Sequence, residues 1–189
     1  TKTYNIPEAG RTAKGTPVVN IIEKSPEEKI SEIIPVKEFS DNEYLVMVTK
    51  NGVIKKTPAS EYESIRKSGK IAITLKEGDE LISIFKTTGN DNIFLATRNG
   101  MAICFNENDA RAVGRTASGV KAIDLADGDY VVGAEPVRED SKVLLVTDGG
   151  YGKCTDLTSF RIQHRGGKGL KAYKITEKTG NVVGCKAVN

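Results

Sequence analysis

A repeat of about fifty residues constrains the fold of this chain more than any other feature of its sequence. Thr49-Lys50-Asn51-Gly52-Val53 returns as Thr97-Arg98-Asn99-Gly100-Met101 and again as Thr147-Asp148-Gly149-Gly150-Tyr151, with the aligned glycine at positions 52, 100 and 150. Each copy follows an apolar run, at residues 44–48, 93–96 and 143–146. Asn-Gly or Gly-Gly after such a run predicts a tight hairpin of type I′, because these residues accept the positive φ that turn needs.

Two further markers keep the same period. The first is Arg11-Thr12-Ala13-Lys14-Gly15, Arg66-Lys67-Ser68-Gly69, Arg115-Thr116-Ala117-Ser118-Gly119 and Arg165-Gly166-Gly167-Lys168-Gly169. Each is followed by a stretch that reads as a strand, for example residues 71–74 and 120–123. The second is an acidic turn before a last strand, Glu77-Gly78-Asp79-Glu80 and Asp127-Gly128-Asp129, with residues 27–30 and 179–182 in the matching places. Four strands per unit is the economical count, and units of that size predict an all-β, propeller-like array in which neighbouring sheets bury faces that no single one could hide. The units run 1–38, 39–88, 89–138 and 139–189. The first lacks a leading hairpin, so the chain reads as an excised piece that starts within a unit.

Composition narrows the function classes. At 38% hydrophobic and 28% charged residues the chain can bury a core. No apolar run nears the roughly 18 residues of a membrane span, and the first residues carry no secretory pattern, so no membrane partner and a cytoplasmic location are expected. Cys104, Cys154 and Cys185 are widely spaced and odd in number, which predicts buried reduced thiols and neither a disulfide framework nor a zinc site. A net charge of +3 says little by itself about nucleic acid.

The phase of the charges says more. Residues 161–174 hold Arg161, Arg165, Lys168, Lys171 and Lys174 and no Asp or Glu. Residues 110–123 hold Arg111, Arg115 and Lys121, again without an acid; Arg66, Lys67 and Lys70 come one unit earlier, and Arg11 and Lys14 begin the series. Equivalent positions of stacked units lie side by side, so these loops predict one positive track. Such a track, with glycines that let backbone N–H groups approach closely, suits the phosphates of a duplex and carries no base code.

Gln163-His164-Arg165-Gly166-Gly167-Lys168-Gly169 resembles the seven-residue gyrase A box, Gln-Arg-Arg-Gly-Gly-Lys/Arg-Gly, at six positions. Arg11 to Gly15, residues 51–57 and residues 78–82 are similar to successive blades of the same protein family, so the resemblance extends over the chain. It identifies a member of the DNA gyrase A C-terminal domain family, with the A-type subunit of topoisomerase IV as the near paralogue. The resemblance implies a β-pinwheel, in which neighbouring blades exchange strands and duplex DNA bends around the rim in a chiral wrap that supports negative supercoiling by the whole enzyme. It implies Arg165 and Lys168 as phosphate contacts and the box glycines as close-approach backbone. It also implies, as partners in an A2B2 complex at the nucleoid, the gyrase B subunit together with the rest of the gyrase A subunit. ATP and Mg2+ would be used elsewhere, with no cofactor in this piece. Two departures stand out: His164 replaces an arginine with an imidazole largely uncharged near neutral pH, and the box follows three units instead of opening the ring.

Catalytic patterns are not apparent. His164 is the single histidine and has no serine or cysteine in a nucleophile setting, and Gly152-Lys153 and Gly167-Lys168 lack the leading glycine of a P-loop. Tyr4, Tyr44, Tyr62, Tyr130, Tyr151 and Tyr173 read as packing residues. The rival class is a protein-interaction propeller, which needs exposed aromatic anchors, whereas aromatic content is 6% with no Trp. A hydrolase on a propeller scaffold comes third.

Overall fold

A computed structural model describes residues 1–64 and 69–188. Among them are eleven strands: β1 (Tyr44–Thr49), β2 (Val53–Pro58), β3 (Leu81–Thr87), β4 (Asn92–Thr97), β5 (Met101–Asn106), β6 (Val120–Lys121), β7 (Val131–Val137), β8 (Lys142–Thr147), β9 (Gly152–Asp156), β10 (Leu170–Lys171) and β11 (Val182–Val188). The helical elements in the described residues are short 3-10 turns. The fold is all-β, with three antiparallel sheets ordered β3-β1-β2-β6, β10-β5-β4-β7 and β11-β8-β9.

In the first two sheets four strands are thus reached by exchange. β6 belongs to the unit that follows β1 and β2, yet Val120 and Lys121 pair with Ile54 and Val53. One unit later, Leu170 and Lys171 pair with Ala102 and Met101. In the sheet of β11-β8-β9, no strand among the described residues covers the outer edge of β9. Residues 71–74, expected as a strand, form none, because the hairpin edge they would join in the unit before is not present among the described residues.

Each hairpin meets its sequence expectation in place but not in turn type. Gly52 N–H donates to Thr49 O at 3.0 Å, and Gly52 has φ +76° while no described non-glycine residue has positive φ. Asn51 therefore stays in ordinary backbone space, and the loop is the longer one that ends on a left-handed glycine, not type I′.

The unbroken apolar runs follow from stacking. On β4, Ile93 and Leu95 enter a cluster with Val46, Val48 and Ile54 of the sheet before and Val131 of their own sheet. Phe94 and Ala96, on the opposite face, enter a second cluster with Val143, Leu145 and Val182 of the sheet after. A strand alternates its side chains between two faces, and here both faces are core. β8, in the last sheet, shows the alternating burial of a strand with one face packed. The thiols divide accordingly. Cys104 is buried and burial pushes it up to about 11; Cys185 is held at about 12 by burial and then by Glu135. Cys154, expected inside, is exposed, because it lies on the uncovered edge strand β9.

Candidate nucleic-acid interface

Two of the basic loops are held at both ends by the preceding unit. Ala112 bridges in parallel to Lys56, and Val113 N–H donates to Lys56 O at 2.9 Å; the same step later, Ile162 bridges to Cys104 and Gln163 N–H donates to Cys104 O at 2.8 Å. The far ends are β6 and β10. Between these anchors run residues 114–119 and 164–169, so these two Arg…Gly markers span the sheet of the unit before their own. Gly119 and Gly169 close the loops at φ +88° and +75°. A Cβ on Gly169 would overlap Ala102 O, and one on Gly119 would meet Ile54 O, both in the preceding unit. The final glycine therefore serves the approach of one unit to the next; the sequence had suggested approach to phosphate.

The charged side chains sort into two groups. Arg111, Lys121, Arg161, His164, Lys168, Lys171 and Lys174 are exposed, as are Arg11 and Lys14. Arg115 and Arg165 are half-buried. Arg165 Nε donates to Asp109 O at 2.8 Å and its Nη1 to Lys121 O at 2.9 Å, while Asp109 Oδ2 accepts from Arg165 N–H and lies 3.2 Å from His164 Nδ1. Lys70 is half-buried and donates to Glu61 O at 3.2 Å. Arg66 and Lys67 lie outside the described residues. The fold brings Lys168 of one unit beside Lys121 of the unit before, with Asp124 between them. Lys121 Nζ lies 2.8 Å from Asp124 Oδ1, and Gly167 O accepts Asp124 N–H. The Lys121 hydrogen bond, then its charge, then that of Lys168, draw the Asp124 carboxyl below its usual range. Asp109 and Asp124 fall one residue outside the acid-free window of residues 110–123, so the sequence pattern passed over both.

A family model described as DNA gyrase C-terminal domain, beta-propeller, matches residues 1–37, 43–88, 91–138 and 141–189. The chain belongs to the DNA gyrase C-terminal domain family. Over 120 residues it is 55% identical to the DNA gyrase A subunit of Clostridium acetobutylicum and 49% identical to that of Halalkalibacterium halodurans, in each case covering 64% of this chain and 14% of the relative. The chain thus spans only a small part of these relatives. Among solved structures it is similar to the C-terminal domain of DNA topoisomerase IV, with a TM-score of 0.85, 31% identity and coverage of 93% of this chain and 55% of that one. It is also similar to the DNA gyrase A C-terminal domain, with a TM-score of 0.83, 29% identity and coverage of 94% and 59%. The β-pinwheel expected from the box and the blade motifs is the fold of this family. No helix among the described residues is long and apolar enough to cross a membrane.

Within this gyrase-family domain, the joints between units hold charged residues that the charge pattern passed over. Lys55 is 1% exposed and its ammonium donates to Ala72 O and Arg115 O. Burial first, then the Arg115 charge, lower it to about 8. Lys56 Nζ lies 2.9 Å from Glu107 Oε2 and 4.4 Å from the centre of the Tyr44 ring. Glu107, fully buried, also accepts from Thr87 Oγ1, Gly89 N–H and Asp91 N–H at 2.7–2.9 Å, which ties the linker between β3 and β4 to the next hairpin. The acidic turns act inside each unit: Asp79 accepts from Asn51 N–H and Asp129 from Asn99 N–H, at 2.9 and 3.0 Å. At that end of the fold Lys50 and Arg98 both approach the Tyr130 ring, 5.2 and 5.9 Å from its centre. The recurring acid at the turn before the last strand was the available signal for these clasps.

Proposed function

We propose that this chain binds duplex DNA along the loops bridging its units, follows the phosphates without reading sequence, and bends the duplex with one handedness on behalf of a DNA gyrase. One observation carries the reading. Two successive loops, fixed in the same way to the preceding sheet, expose Arg111 and Lys121 in one unit and Arg161, Lys168, Lys171 and Lys174 in the next. Side chains repeated at one structural phase suit the regular charge of a phosphate backbone, and the edge-strand loops offer no element that would enter a groove to read bases. Bending 20–30 base pairs by 40–90° costs on the order of 1–6 kcal/mol, an amount that several phosphate contacts offset. The wider roles rest on the family: negative supercoiling with gyrase B and the rest of the gyrase A subunit, at the nucleoid, with ATP and Mg2+ handled elsewhere in the enzyme.

The test is to ligate nicked circular DNA with increasing amounts of the chain, remove the protein, and resolve the linking-number distribution. The expected result is a progressive shift of one sign, reduced in Lys168→Ala/Lys171→Ala, together with binding that weakens about a thousandfold between 50 and 200 mM salt if some six phosphates are contacted. Absence of binding at low salt would overturn the DNA reading, and salt-insensitive capture of proteins would favour an interaction propeller in its place.

A further inference from the structure

Arg165 and Arg115 occupy the same position of their loops, four residues before the closing Gly169 and Gly119, and they reach equivalent residues of the unit before, Arg165 through two carbonyl hydrogen bonds and Arg115 through one carbonyl hydrogen bond and a longer ion pair. Arg165 reaches Asp109 on the 3-10 turn Glu107–Asp109 and the carbonyl of Lys121, the second residue after Gly119. Arg115 reaches Glu61 on the 3-10 turn Ala59–Tyr62, with Nε 3.8 Å from Oε2, and donates from Nη1 at 3.3 Å to the carbonyl of Ile71, the second residue after Gly69. The residues contacted are themselves equivalent: Glu61 and Asp109 are each third in their 3-10 turn, and Ile71 and Lys121 each stand two places beyond the marker glycine. Two joints therefore repeat one device. A planar guanidinium with donors in a fixed fork can span two acceptors at a set angle, which an ammonium at the end of a flexible stem does not reproduce.

We propose that these two arginines are positioning residues that staple each loop across the joint and so set the angle between neighbouring units, and with it the path of the bound duplex. The wrapping half of this proposal rests on the DNA reading above; the stapling half does not. Phosphate contact then falls to the exposed side chains of the same loops, Lys168 foremost, while the arginine charge adds only to the general attraction. The backbone bonds nearest the staple report on it: Gly166 N–H donates to Ala122 O at 2.6 Å and Asp124 N–H to Gly167 O at 2.8 Å, both across the joint.

The experiment compares Arg165→Lys, which keeps the charge and removes the fork, with Lys168→Ala, in the whole chain. Without DNA, amide exchange at Gly166 and Asp124 is expected to quicken about tenfold in Arg165→Lys, the loss of roughly one charge-assisted hydrogen bond, and to stay at the wild-type rate in Lys168→Ala. With DNA, Arg165→Lys is expected to change the linking-number shift per bound chain, whereas Lys168→Ala lowers the salt slope by about 0.9, the value of one phosphate contact. Arg165→Gln, which retains amide donors, serves if the lysine variant fails to fold. Wild-type exchange and wild-type linking in Arg165→Lys would make Arg165 a plain phosphate ligand and overturn the proposal; faster exchange with an unchanged linking shift would overturn its wrapping half. If the unmodified chain does not bind DNA, that half falls with the DNA reading, and the exchange rates still decide the staple.

Discussion

Lys55 and Lys56 sit next to each other on β2, point to opposite faces, and are both buried, with different means of bearing their charge. Lys56 has a carboxylate partner; Lys55 has carbonyls only. Removing one member of a buried pair leaves the other uncompensated, so Lys56→Met should cost about 3–5 kcal/mol in urea unfolding, and adding Glu107→Leu should restore most of it. The chain already contains the apolar version: Cys104 and Leu157 take the corresponding places at the next joint and lie in one hydrophobic cluster. A loss below about 1 kcal/mol in the single variant would show that Glu107 is satisfied by Thr87, Gly89 and Asp91 alone. Lys55 gives a pH signature. Its pKa falls from an ordinary 10.5 to about 8 in the fold, so between those values the unfolded chain holds the proton that the folded chain has released, and stability rises with pH across that window. The stability of the wild type relative to Lys55→Met, followed by urea unfolding, should therefore increase from about pH 8 to pH 10.5, and a flat difference would mean that the ammonium is not held down by burial. Neither lysine was legible from sequence, because a charged pair in a strand reads as solvated until a second sheet is known to cover it.

At the scale of elements, the loop between a hairpin and its closing strand does more than carry charge, since its two ends complete the preceding sheet. Its glycines are consequently not equivalent. Gly166 and Gly169 both have positive φ, but the nearest atom to a Cβ on Gly166 is Lys121 O at 3.8 Å, whereas a Cβ on Gly169 collides with Ala102 O. Alanine at either position is strained by the left-handed backbone; only at 169 must β10 also move off β5. Gly169→Ala should thus be less stable than Gly166→Ala by about 1–3 kcal/mol in urea unfolding, and equal losses would place the strain in the backbone alone. The hairpins were readable because their glycines recur at positions 52, 100 and 150 between apolar runs. The exchange of β6 and β10 was readable only through family resemblance, since two-residue strands leave no periodic pattern of their own.

For the whole molecule, the repeat period and the count of four strands per unit were enough to predict stacked sheets, and the unbroken apolar runs fit them, because only a strand covered on both faces, like β4, can dispense with alternation. The candidate interface was half legible. Phase identified the loops, but a linear window cannot show that Asp109 and Asp124 close around residues 164–169 from the unit before, or that Arg115 and Arg165 direct donors to a neighbour's carbonyls. Strand exchange also sets the order in which such a chain can mature as it is synthesised. The sheet begun by β1 and β2 is not finished until Val120 and Lys121 have been made, and that of β4 and β5 waits for Leu170 and Lys171. Folding from the amino terminus is therefore expected to lag the ribosome by one unit, and a gene duplication or deletion is expected to be tolerated when its breakpoints are a whole period apart, wherever within the unit they fall, because only then do hairpins such as β1–β2 and β4–β5 inherit the strand that closes them.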